Sequence, residues 1–110
     1  MLYVQLQLGA TILPALVDSG ACDNFISAQT AADLHFELRP LRKASRILSA
    51  DGQPMECASY VVVTAVIGAL SFPLSLRVIR SSIRVILGLP FLHHFNPRIS
   101  CRAGTLTVEK

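Results

Sequence analysis

The chain has 110 residues, 52% of them hydrophobic and 15% charged, with a formal net charge of +3. That length sets the expectation of one small domain over residues 1–110. The apolar content excludes a disordered chain and favours self-association, because a small domain gains by burying surface against a partner.

Leu2, Val4, Leu6 and Leu8 alternate with Tyr3, Gln5 and Gln7, a period of two that predicts a strand. Gly9-Ala10 punctuates it, and residues 12–17 predict a second strand, with Pro14 pointing to an edge or a bulge at that place. Because strand pattern starts at the second residue, the chain is expected to be cut from a longer polypeptide. Phe25 and Ile26 return to the core, and residues 27–34 predict a short helical turn capped by Ser27. Pro40 and the basic residues after it predict a loop. Residues 45–49 begin a strand, and Asp51-Gly52 is the strongest hairpin dipeptide in the sequence. The returning strand is expected over residues 55–65, where Tyr60-Val61-Val62-Val63 is strongly β-prone. A turn at Ile67-Gly68-Ala69 leads into a strand over 72–79, and Ser81-Ser82 separates it from another over 83–87. Pro90 suits the first turn of a helix over 91–95, since its missing N–H costs nothing there. Residues 98–102 and 105–108 flank Ala103-Gly104 as a last hairpin. Many short strands at close spacing with one or two short helices predict an all-β, small closed barrel-like domain.

The segment Leu16-Val17-Asp18-Ser19-Gly20-Ala21-Cys22-Asp23-Asn24-Phe25-Ile26 stands out chemically. A buried strand delivers a carboxylate to a Ser-Gly turn, and an unpartnered charge in such a place is costly. Either Asp18 closes the strand in a turn or its placement serves chemistry. Asp-Ser-Gly-Ala between aliphatics and Phe-Ile resembles the active-site loop of the retroviral and retrotransposon aspartic proteases, the retropepsins. Val85-Ile86-Leu87-Gly88 followed by Leu89-Pro90-Phe91-Leu92 is similar to that family's paired-aliphatic-plus-glycine segment and the short helix after it. Ala50-Asp51-Gly52-Gln53-Pro54 resembles the hairpin tip that closes over substrate. The three stretches follow the family's order across nearly the whole chain and look most like the Ty3/gypsy retrotransposon branch, including its domesticated descendants.

Hydrolysis by two carboxylates needs one to deprotonate water while the other, protonated, polarises the scissile carbonyl. Two such groups about 3 Å apart share a proton and titrate in coupled steps. The chain has one Asp-Ser-Gly. Asp23, Asp33 and Asp51 lack the setting, so a C2 homodimer with one catalytic Asp18 per subunit is the economical solution, and retropepsins are built that way. The resemblance implies an aspartic endopeptidase that needs no metal or other cofactor. It cuts peptide bonds of a retroelement-type polyprotein, bound as an extended strand. It further implies that Ser19 braces the two loops, that Gly20 and Ala21 leave room for substrate, and that Asp51, Gly52 and Gln53 form the flap. Ile86 and Leu87 are candidate wall residues, for which plain core packing is the competing reading. The alternative function is a catalytically silent dimerisation or peptide-binding module of a domesticated retrotransposon protein. Two features depart from the family pattern: Cys22 and Leu89-Pro90 stand where many members carry a bracing polar or charged residue, and Asp51-Gly52-Gln53-Pro54 stands in place of a glycine-rich flap tip.

The remaining features carry less. No apolar run approaches the roughly 20 residues that span a bilayer, and residues 1–5 lack the basic start of a signal peptide, so no membrane is expected as a partner. Arg39, Arg42, Lys43 and Arg46 form a basic cluster without interleaved aromatics, which reads as a solvated loop rather than a nucleic-acid site. Cys22, Cys57 and Cys101 have no CxxC spacing and fit reduced thiols in the cytoplasm. Cys22 reads as a buried filler ahead of a redox-sensitive thiol. His93 and His94 point about 100° apart on a helix and read as exposed helix-end residues rather than ligands.

Overall fold

The computed structural model describes residues 2–48, 54–95, 98–100 and 105–107, with side chains described over 2–44 and 57–94. Nine strands and two short helices are found among them: β1 (Leu2–Leu8), β2 (Thr11–Val17), β3 (Phe25–Ser27), α1 (Ala28–Asp33), β4 (Arg39–Leu48), β5 (Pro54–Ile67), β6 (Leu70–Ile79), β7 (Val85–Leu87), α2 (Leu89–Phe95), β8 (Arg98–Ser100) and β9 (Thr105–Thr107). In the main sheet the strand order is β1-β2-β7-β3-β6-β5-β4, and β1 also pairs with β5. That last pairing closes six strands into a barrel and leaves β4 on the outside of β5. The all-β barrel expected from the sequence is therefore the fold.

The barrel closes because one face of each strand is apolar. Leu6 and Leu8 of β1, Leu13 and Ala15 of β2, Val61 and Ala65 of β5, and Leu74 and Leu76 of β6 point inward with Ile26, Val85, Leu87 and Phe91. The β1–β2 hairpin pairs in unbroken register from Leu2↔Val17 to Leu8↔Thr11. Pro14 sits opposite Gln5 and is exposed. On its other side β2 meets β7 only at Leu16 and Val17, so Pro14 occupies a free edge, where a missing N–H breaks no ladder.

Ser27 caps α1 as expected: its hydroxyl accepts from Thr30 N–H at 3.0 Å and donates to Thr30 Oγ1 at 2.6 Å, with both residues buried. One expectation is corrected. The loop predicted at Pro40 is the start of β4, where Arg39 and Pro40 pair with Tyr60 and Ser59 before the register shifts and resumes at Ser45↔Cys57. In the β4–β5 register residues 41–44 thus stand against Ala58 alone. The outermost strand of a sheet accommodates both a proline and such an irregularity, because only one side must be paired.

Candidate active site

The site lies where the chain crosses over the end of β7. That strand is wedged between the two strands flanking the Asp18 loop. It runs parallel to β2 (Leu16↔Ile86, Val17↔Leu87) and antiparallel to β3 (Phe25↔Ile86, Ile26↔Val85). To pass from β2 to β3, residues 18–24 must arch over the residue that follows Leu87, which is Gly88. A Cβ at Gly88 would overlap Asp23 O and stand 2.6 Å from Ala21 O. The close approach therefore requires a residue without a side chain.

Asp18 is the first residue of the arch. Its N–H donates to Leu87 O at 3.0 Å, extending the β2–β7 ladder by one step. The chain then turns back: Ala21 N–H donates to Asp18 O at 3.1 Å, and Gly20 N–H donates to Asp18 Oδ1 at 2.9 Å. Asp18 is partly exposed, so the strand end can hold a carboxyl group without fully desolvating it. Space at Gly20 is short, since a Cβ there would lie 3.2 Å from Asp18 Oδ1.

Further hydrogen bonds tie the arch to β7 and α2. Leu89 N–H donates to Ala21 O at 2.9 Å, and Gly88 N–H donates to Asn24 Oδ1 at 2.9 Å. On the far side, Arg77 N–H donates to Asn24 O at 2.9 Å, while Arg77 Nε lies 2.6 Å from Asp23 Oδ2. Asp23 Oδ1 accepts from Asn24 N–H at 2.8 Å. An ionic brace of the arch is thus present, from Asp23 to β6, although neither Cys22 nor Leu89-Pro90 supplies one.

Among the residues singled out in the sequence, Asp18, Ser19, Gly20 and Ala21 are brought together in the arch, with Ser19 and Gly20 exposed. Ile86 packs beside Ala21 and Phe25 in a small apolar cluster with Cys57, Ile79 and Leu41. This cluster lies on the face of β7 and β3 opposite the barrel core, since neighbours along a strand point to opposite faces. Leu87 points the other way, into the core, and what it offers the arch is its carbonyl. Asp51, Gly52 and Gln53 lie outside the described residues; the β4–β5 arms that lead to them pair as far as Leu48↔Pro54. His93 and His94 are exposed in the last turn of α2. Cys22 is exposed rather than buried. The buried filler expected at Cys22 is found instead at Cys57. Asn24, Asp23 and Arg77 were not anticipated. The signal at Asn24 was a polar residue directly before the apolar Phe25-Ile26 pair.

A family model described as the PEG10/RTL1 protease domain matches residues 14–110. The chain belongs to this retropepsin-like family. Solved structures share the fold of this PEG10/RTL1-type domain. The retroviral protease-like domain of Ddi1 from Leishmania major superposes with a TM-score of 0.74 at 22% identity, covering 100% of this chain and 89% of that one. A retropepsin-like aspartic protease from Rickettsia conorii gives a TM-score of 0.68 at 24% identity, covering 96% and 80%. No curated protein sequence matches the chain.

Proposed function

We propose that the chain is an aspartic endopeptidase that works as a C2 homodimer, each subunit supplying one Asp18. The observation that carries this reading is the presentation of Asp18: a partly exposed carboxylate at the start of an intact Asp-Ser-Gly-Ala arch, with its backbone pinned to β7 and Oδ1 held by Gly20 N–H. A single carboxylate cannot be base and acid at once, whereas two related by a two-fold axis share one proton. The ionised member takes a proton from water, and the protonated member donates to the carbonyl oxygen as the tetrahedral carbon forms. Ser19, exposed on the arch, would hydrogen bond the partner's loop. Ala21 and Ile86 form an apolar floor beside Asp18 for an extended peptide, and residues 51–53 would close over it as a flap. The substrate is a peptide segment of a retroelement-type polyprotein. The exposed thiol of Cys22 suits a reducing, intracellular compartment.

The test is Asp18→Asn, which keeps volume and removes the shared proton. Cleavage of a peptide library is expected to fall by several orders of magnitude without a large change in melting temperature, and the parent rate is expected to be bell-shaped in pH with an acidic optimum. Parent-level cleavage by Asp18→Asn would overturn the mechanism. No cleavage by the parent would favour a silent binding module.

Among the described residues, no helix is long and apolar enough to cross a membrane. Among them also, no three His, Cys, Asp or Glu side chains cluster as a metal site would.

A further inference from the structure

The arch and the strand beneath it meet along a seam with an unusual composition. Asp18 N–H and Leu89 N–H cross it to the main-chain carbonyls of Leu87 and Ala21. A third cross-bond uses a side chain: Gly88 N–H donates to Asn24 Oδ1. Among the described residues Asn24 is one of few buried polar side chains, 6% exposed, and a buried polar group persists when its bonds are made. Its own main chain is fixed from two further directions, through Asp23 Oδ1 and Arg77 N–H. It therefore links β6, the arch and the turn into α2. Hydrophobic filling of the same volume would leave Gly88 N–H unpaired under the arch, where no side chain of its own can shield it.

We propose that Asn24 is a positioning residue: by accepting Gly88 N–H it locks the arch onto β7 and thereby fixes where Asp18 presents its carboxylate. The inference rests on the aspartic-protease reading for its consequence in catalysis, though not for its structural content. Two Asp18 side chains that share a proton tolerate little change in separation, so a seam that slips spoils the pair, while Ile86 on β7 keeps its place beneath the arch.

The test uses the full chain. Asn24→Leu removes the acceptor with little change in volume, and Asn24→Asp keeps an oxygen in the same place, remaining neutral at acidic pH because burial favours the protonated form. Amide hydrogen exchange followed by NMR is the first readout. In Asn24→Leu the amides of Asp18, Gly88 and Leu89 should all exchange at least about tenfold faster while β1 and β2 amides stay unchanged. In Asn24→Asp all should match the parent. Acceleration confined to Gly88, or spread evenly over the barrel, would overturn the proposal. Should Asn24→Leu not fold, the parent itself decides: the three amides should open with one common free energy, and unrelated opening energies would contradict a single lock. Kinetics are the second readout. Asn24→Leu should lose up to about 100-fold in kcat with a much smaller change in KM, and its pH profile should narrow or shift as the coupling between the carboxyls changes. An unchanged kcat and pH profile in the folded variant would also overturn it. A parent that cleaves nothing would count against the protease reading alone, because the exchange measurements decide the lock without any activity.

Discussion

Two regions of this barrel are joined in opposite ways. The β1–β2 hairpin pairs over seven rungs, from Leu2↔Val17 to Leu8↔Thr11, and buries Leu6, Leu8, Leu13 and Ala15 in a single core. The seam of β2, β7 and β3 is short: β7 has only three residues, and it meets each neighbour at two rungs. The hairpin relies on apolar area, whereas the seam, which also sends Ile26, Val85 and Leu87 into the core, adds hydrogen bonds placed around a glycine. The hairpin is a source of stability, and the seam is a source of geometry. Packing is not directional, so the position of the carboxylate is set by the main-chain and side-chain bonds.

The two regions should therefore respond differently to damage. Leu6→Ala empties a fully buried site and should destabilise by about 2–5 kcal/mol. The molecules that remain folded should keep the parent kcat, because the cavity lies in the hairpin. Thermal unfolding combined with kinetics on the folded fraction checks both halves of that statement.

Gly88→Ala should cost less stability, about 1–3 kcal/mol, yet abolish cleavage. Its methyl group can be housed only if Ala21 O and Asp23 O move, and they belong to the arch that carries Asp18. A folded Gly88→Ala chain with parent activity would dissolve the distinction between the regions.

The smallest effect is expected at the outer brace. Asp23 and Arg77 are about one-third exposed, at 30% and 34%, and a pair this open to solvent is worth less than about 1 kcal/mol. A double-mutant cycle of Asp23→Ala and Arg77→Ala, read by denaturant titration, should return a coupling within that limit and diminishing in high salt. A larger coupling would mean that the brace, rather than Asn24, dominates the seam.

The same contrast explains what was legible in the sequence. The hairpin announces itself by alternation, Leu2, Val4, Leu6 and Leu8 against polar neighbours, and local period is all that such a strand needs. Ser27 was equally readable as a cap, because its partner Thr30 is three residues away. The Asp-Ser-Gly-Ala stretch and the Ile-Leu-Gly stretch were legible as motifs, and the structure joins them through β2 and β7. The bond between Asn24 and Gly88 spans 64 positions, and no local pattern encodes it. The pairing of Asp23 with Arg77 is hidden for the same reason. Ile86 and Leu87 could not be told apart in the sequence, because two adjacent aliphatics look alike until the strand assigns them to opposite faces. The loop expected at Pro40 yielded to β4, since proline propensity says nothing of a neighbouring strand edge that can hold it.

That one Asp18 from each of two subunits forms a single site is tested most directly by mixing parent chain with Asp18→Asn chain at equal amounts and fixed total concentration, with time for subunits to exchange. Random pairing leaves about one quarter of the dimers with two aspartates. Activity should therefore fall to about one quarter of that of the parent at the same total concentration. A fall to only about one half, as independent single-chain sites would give, would contradict the shared site.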